Sequence, residues 1–291
     1  MRKPSIWTIL KNIAWQHRRK LVLTFSVVAA ENLLFLAYPV FGGWAVDAVM
    51  HGNVWQALSY ALLVWLMWFV GAVRRSADTR VFARIYSELA VPVIVEQRVR
   101  GQSPSAIAAR VALSREFVNF FEEHLPTALT SMVSVFGASL MLLVLAFWSG
   151  VLSVVILLVF ALLLPRFSRI GETLYRRLNN RLERDVDMIR HAGEPLLHKH
   201  YGLIARLRIL ISNREAAGYL AVGTAMAVLF GFTLAWLTLN GYGSAGHVYS
   251  LTTYLWMFAM SLDDVPRLVE SYTNLKDIAQ RIDCRSAEQG A

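Results

Sequence analysis

One acidic residue lies inside an apolar stretch close to the N-terminus. Glu31 comes eleven positions after Lys20, the last of a group of basic residues. In a helix that separation is about 16 Å, which places the carboxylate near the middle of a bilayer. A charged side chain there costs at least about 2.5 kcal/mol on insertion scales. Glu31 therefore has two interpretations. It is a proton-coupling group or a contact for a cationic substrate, or it is a protonated glutamic acid that hydrogen-bonds to Asn32 or to a neighbouring helix.

A second acidic pair follows the last apolar segment directly. Asp263 is spaced i,i+4 from Arg267, which favours local ion pairs at the level of the inner headgroups. Alternatively, Asp263 and Asp264 lie at the inner mouth of a central cavity, where neighbouring acids raise each other's pKa and attract cations. Both interpretations stay open from the sequence.

Aromatic and thioether side chains recur in the same segment. Tyr249, Tyr254, Trp256 and Met257 could together form a wall for an amphiphilic molecule, although Tyr249 also suits the outer interfacial belt of aromatic residues. The candidate residues of a substrate or proton pathway are Glu31, Asn32, Asp263, Asp264, Tyr254 and Met257.

Other polar groups favour structural interpretations. Glu122 and Glu123 fall where a helix enters the membrane, and we expect them to pair with Arg74 and Arg75 on the adjacent helix. The run 198–200 contains two histidines, but a metal site needs more ligands than it supplies. We therefore expect no metal site, and we assign no catalytic residue.

Six apolar runs position these side chains. Of the 291 residues, 56% are hydrophobic, which is typical of membrane proteins. The predicted spans are 21–45, 54–73, 125–148, 151–165, 216–239 and 248–262. Residues 1–20 form a predicted amphipathic helix at the membrane surface, 21–284 the six-helix domain, and 285–291 a short tail.

The basic residues predict the orientation of the chain. All 29 Lys and Arg residues lie on one side: 6 in the first twenty residues, 8 in 74–124, 11 in 166–215 and 4 in the tail. The three opposite turns contain none. Because basic residues are retained in the cytoplasm, both termini and both long connections are expected on the cytoplasmic side. The expected membrane is a bacterial-type inner (plasma) membrane.

The same distribution accounts for the formal net charge of +9. The orientation of the chain and contact with anionic membrane lipid explain the excess positive charge. No basic stripe is left over, so we do not expect nucleic-acid binding. The chain has a single cysteine, which excludes an internal disulfide.

The two long connections read as helical hairpins. In 74–124, Gly101 ends a helix, and Ser103 with Pro104 opens a short one over 105–113. In 166–215, the fourth helix continues to about Ala192, a short helix crosses over at 195–201, and a return helix follows Gly202. The fold class is thus an all-α membrane protein with six transmembrane helices and two long cytoplasmic hairpins.

This arrangement resembles the transmembrane domain of exporter-type ABC transporters. The Pro-x-x-x-Gly-x-x-x-Asp pattern in 38–47 is similar to the end of that family's first helix. Residues 101–121 lie where the family has its first coupling helix, and 262–266 with 279–282 resemble the end of its sixth. The resemblance covers about residues 5–284.

One departure from the family determines what we expect of function. No Gly-x-x-x-x-Gly-Lys-Ser/Thr loop occurs, and only nine residues follow Ile282. We therefore expect no enzymatic activity and no cofactor in this chain, with ATP acting only through a possible partner. The resemblance makes the hairpin tips docking elements for a separate ATPase subunit, with the candidate residues Ser105, Ile107, Arg110, Leu196, His198 and Tyr201.

Three functions remain open from the sequence. The chain is the membrane subunit of a transporter energised by a separate ATPase, or an ATPase-free, proton-driven secondary transporter on the same scaffold, or a non-transporting scaffold or regulator. The resemblance implies a homodimer or a heterodimer with a second half-transporter, because six helices form half of a pathway. An amphiphilic, cationic or peptide-like substrate suits the acidic and aromatic groups.

Overall fold

The computed structural model describes residues 15, 18–99, 101, 103–104, 107–108, 111, 115, 118–119, 122, 125–241 and 243–264. Within these residues every regular element is helical, and there is no strand. The helices are α1 (Arg18–Met50), α2 (Val54–Val99), α3 (Leu125–Leu145), α4 (Phe147–Leu182), α5 (Asp185–His191), α6 (Glu194–Asn240) and α7, whose described part is 245–264.

Five of these helices, α1 to α4 and α6, are long and apolar enough to cross a membrane. The predicted all-α class is confirmed, and so is the prediction that the chain is built around membrane-spanning helices. The predicted sixth span, 248–262, lies within α7. Many large apolar side chains on these helices are exposed, for example Trp55, Trp65 and Trp68 on α2, as expected of surfaces that face lipid or another subunit.

The turn between α3 and α4 differs from the prediction. We expected it at Ser149 and Gly150, but both residues are buried inside α4, and the chain reverses at Ala146 (φ −147°, ψ 87°). Gly150 serves helix packing instead, because a Cβ atom there would collide with the backbone of Leu143 on α3. The Ser153 hydroxyl donates to the Gly150 carbonyl oxygen at 2.7 Å, so this serine is satisfied within its own helix.

The tip of the second hairpin also needs correcting. The fourth helix does not continue to Ala192, because α4 ends at Leu182 and the separate short helix α5 follows. The helix predicted over 195–201 is not a separate element, since these residues form the first turns of α6. Gly202 does not break α6, and it is not among the described glycines with positive φ. The predicted break at Gly193 is confirmed, since this residue is extended (φ −74°, ψ 165°) just before α6.

The main core lies where α3, α4, α6 and α7 meet. Its most buried side chains include Leu142, Leu229, Tyr254 and Phe258. Helix α1 packs against α2 and α3, and α4 packs against α6. Two smaller clusters, around Phe82 on α2 and around the facing faces of α4 and α6, extend the packing along the charged connections.

Candidate functional site

Glu31 has a partner on the neighbouring helix. The Arg74 Nη1 atom on α2 lies 2.6 Å from Glu31 Oε2 on α1, and the two side chains are 24% and 29% exposed. Gly71, one turn before Arg74, leaves room for the carboxylate: a Cβ atom there would lie 3.3 Å from Glu31 Oε1. Glu31 therefore lies level with the point on α2 where the apolar run 54–73 ends, which differs from the position near the middle of the bilayer that its distance from Lys20 predicted.

Asn32 is not the partner of Glu31. Its side chain is buried, and Nδ2 donates to the carbonyl oxygen of Val28 on the same helix at 2.9 Å. Arg74, which we expected to pair with the acids at 122 and 123, contacts Glu31 and Asp78. Glu123 lies outside the described residues.

Asp78 is a buried carboxylate that we did not single out from the sequence. Its Oδ2 atom lies 3.7 Å from Arg74 Nε, one helical turn earlier, and its side chain is 9% exposed. Its other oxygen, Oδ1, is buried, and no donor among the described residues lies within hydrogen-bonding reach of it. We call Glu31, Arg74 and Asp78 the charged cluster. It holds two carboxylates and one guanidinium group, so it suits a proton or another cation.

A second polar region joins α1 to α7, and we call it the α1–α7 seam. Asp47 lies near the end of α1, and both of its oxygens accept hydrogen bonds from the start of α7. The Ser244 hydroxyl donates to Oδ2 at 2.7 Å, and the Gly246 N–H donates to Oδ1 at 2.8 Å. This carboxylate is thus well provided with donors.

The seam continues along the next turns of both helices. The backbones approach at Gly43 and Gly246, where a Cβ atom on Gly246 would collide with the Gly43 carbonyl oxygen. Farther along, the Ser250 hydroxyl donates to the carbonyl oxygen of Pro39 at 2.8 Å. Positions 39, 43 and 47 lie four residues apart and share one helix face, so the Pro-x-x-x-Gly-x-x-x-Asp pattern is the α1 side of this seam.

The predicted aromatic wall is part of the packed interior. Tyr254 is fully buried and donates from its hydroxyl to the carbonyl oxygen of Leu36 at 2.6 Å, while Met257 is also buried in the core. Trp256 points away from this core, is 58% exposed, and packs edge-on against Phe230. Tyr254 and Met257 therefore stabilise helix contacts in this structure.

The remaining pathway candidates lie at the end of the described part of α7. Asp263 and Asp264 are half-buried there, and their expected partner Arg267 lies outside the described residues. Across the described parts of the chain, no group of three or more His, Cys, Asp or Glu side chains is placed to hold a metal ion.

The candidate docking residues of the second hairpin are exposed on α6. Leu196 is 49% exposed and Tyr201 44% exposed, and the His198 side chain is 82% exposed. Between them, His200 is buried, and its Nε2 lies 2.7 Å from Asp185 Oδ1 on α5. This contact holds the short helix against the long one.

The first hairpin is described only in part. Gly101 adopts a positive φ of 68° just after α2, and the Ile107 N–H donates to the Ser103 carbonyl oxygen at 3.1 Å. A helical turn thus begins where the sequence predicted one. The other docking candidates of this hairpin, Ser105 and Arg110, lie outside the described residues.

Fold and site together define a class of protein. Long apolar helices with charged extensions, joined by a polar seam, describe a multi-pass helical membrane domain. A family model of the ABC transporter transmembrane region matches residues 10–246 of the chain. The chain therefore belongs to the family of ABC transporter transmembrane regions, which confirms the resemblance noted in the sequence. No curated protein is significantly similar to it.

Proposed function

We propose that this chain is the membrane subunit of a transporter whose ATPase is a separate chain. The observation that supports this most strongly is the family match over residues 10–246 in a sequence that contains no phosphate-binding Gly-x-x-x-x-Gly-Lys-Ser/Thr loop. ATP then acts through the partner, and this chain binds no cofactor and catalyses no reaction itself.

The chain crosses the inner (plasma) membrane six times, with both termini and both hairpins in the cytoplasm. The location of every Lys and Arg on one side of the predicted spans supports this orientation. The hairpin tips dock the ATPase. In favour of this role, Leu196 and Tyr201 expose apolar surface at the start of α6, close to the turn that follows α5.

The functional unit is a dimer, either of identical chains or with a second half-transporter. The exposed tryptophans of α2 support a covered surface: Trp55, Trp65 and Trp68 are 85%, 60% and 75% exposed in the single chain. The substrate is an amphiphilic, cationic or peptide-like molecule, because two carboxylates share one guanidinium group in the charged cluster.

Inside-out membrane vesicles from cells producing the chain test this proposal, with a fluorescent amphiphilic cation as the substrate probe. We expect ATP to drive movement of the dye and vanadate to stop it. A protonophore should leave it intact. In a matched pair of variants, Tyr201→Ser should weaken ATP-driven movement, whereas Tyr219→Ser, at an exposed site on α6 outside the hairpin tip, should not. Movement that ignores ATP and vanadate would contradict the proposal.

A second candidate is a proton-driven secondary transporter on the same scaffold, and the charged cluster favours it. Here Glu31 exchanges a proton as its pairing with Arg74 is made and broken. Glu31→Gln separates the two functions. Dye movement that survives this substitution and stops with vanadate excludes the proton-driven function. Loss of movement both in this variant and with a protonophore excludes the ATPase-driven one, and either kind of movement excludes a purely structural role.

A further inference from the structure

We propose that Asp78 is a proton-binding site, and that its protonation strengthens the neighbouring ion pair between Glu31 and Arg74. Such a site is independent of whether ATP or a proton gradient drives transport, since it concerns the side chain's own equilibrium with protons.

The burial of Asp78 is the first support. Its side chain is 9% exposed, and its Oδ1 atom is buried without a donor among the described residues. Two apolar side chains, Phe82 and Ile85, follow at helical spacing and pack with Val118 in a small core. A carboxylate that loses water and gains few donors favours its neutral form.

The surrounding charges are the second support. Arg74 is the cation that the structure places beside Asp78, but its Nη1 atom is engaged at 2.6 Å by Glu31, while its Nε is 3.7 Å from Asp78. The other charged groups that act on Asp78 are both acidic: Glu31 on α1 and Glu122 in the segment before α3. One shared guanidinium group thus faces more than one negative charge.

The two protonation states differ in how they use Arg74. When a proton from water binds the Asp78 carboxylate, the side chain becomes neutral and Arg74 is left to Glu31. When the proton leaves, the second carboxylate competes for Arg74 and weakens its hold on Glu31. Because Glu31 lies on α1 and the other two residues lie on α2, the proton affects how firmly these helices are joined.

Infrared titration of the purified full-length protein in lipid nanodiscs tests the site. Protein carrying 13C-carboxyl aspartate distinguishes aspartic from glutamic carboxyl bands without any substitution. We expect some aspartate to stay protonated at pH values above the ordinary titration range of aspartate, and this part of the band to be lost in Asp78→Asn. Asp47→Asn is the matched control and should leave the band unchanged, because both oxygens of that carboxylate accept hydrogen bonds.

Two neighbouring substitutions give opposite shifts and keep the test decisive if Asp78→Asn folds poorly. Arg74→Gln removes the cation and should move the midpoint of the band to higher pH by about one unit. Glu31→Gln frees Arg74 for Asp78 and should move it to lower pH. Arg75→Gln, at an exposed position, should not move it. If that part of the band persists in Asp78→Asn, or if none of these variants changes its midpoint, the proposal is overturned.

Discussion

Two polar regions that each include a carboxylate of α1 differ in how fully their carboxylate oxygens are hydrogen-bonded. In the α1–α7 seam, Asp47 accepts one hydrogen bond on each oxygen, from Ser244 and from the backbone of Gly246. In the charged cluster, Glu31 and Asp78 share the guanidinium group of Arg74, and one oxygen of Asp78 is buried without a described donor.

The difference distinguishes a region that stabilises the helix bundle from a region whose contacts can change. The seam is built from short hydrogen bonds and from glycines that let two backbones meet. Because its polar groups are all paired, a rearrangement of the seam would cost hydrogen bonds without forming better ones. The cluster keeps a charge imbalance that costs stability, and such local costs are typical of functional sites. We therefore expect loss of the carboxylate to destabilise the protein at Asp47 in the seam but not at Asp78 in the cluster.

The largest expected effect is Gly246→Ala in the seam. The added Cβ atom would collide with the Gly43 carbonyl oxygen, so the helices must separate and the Asp47 hydrogen bonds must lengthen. Overpacking of this kind costs about 3 kcal/mol in the free energy of unfolding. Chemical denaturation in detergent micelles measures it. Gly223→Ala is the control, because nothing lies within 4 Å of the added atom, and an equal loss in both variants would contradict the close approach.

An intermediate effect is expected from a double-mutant cycle on Glu31→Gln and Arg74→Gln. The two side chains touch but are 29% and 24% exposed, so their coupling energy should be about 1 kcal/mol after solvent screening. The same denaturation assay measures each corner of the cycle. A parallel cycle that pairs Glu31→Gln with Arg75→Gln should show no coupling. Equal coupling of Glu31 to both arginines would contradict a specific ion pair with Arg74.

The smallest effect is expected outside both regions, from His200→Asn at the tip of the second hairpin. Loss of the 2.7 Å contact with Asp185 should free α5 from α6 locally, at a cost of about 0.5 kcal/mol. Hydrogen–deuterium exchange should then rise in 185–191 and stay unchanged in the seam. His198→Asn is the control, since that side chain is 82% exposed. Increased exchange along the whole of α6 would show that the contact acts globally.

The membrane-spanning helices could be predicted from the sequence because long apolar runs are a strong signal. Turns were harder. Ser149 and Gly150 suggested a reversal, but the glycine serves close packing against Leu143, and packing partners cannot be read from one segment. The start of α6 was also mispredicted, because a glycine inside a helix, such as Gly202, resembles a helix end.

The charged cluster shows the same limit at the level of side chains. Glu31 stood out because a carboxylate in an apolar run is rare, but its partner Arg74 is 43 positions away and is found only when α1 and α2 pack together. Asp78 was missed because an acid four residues after an arginine is common on solvated helices. Its burial depends on the helices around it, which local spacing does not reveal.

The most direct test of the contrast compares the thermal unfolding midpoints of Asp47→Asn and Asp78→Asn at neutral pH in the same detergent. Both substitutions replace a carboxyl group with an amide of almost the same shape. We expect Asp47→Asn to lower the midpoint, because a carboxylate with two donors is lost, and Asp78→Asn to leave it unchanged or raise it. A drop in Asp78→Asn as large as that in Asp47→Asn would contradict the account of the charged cluster.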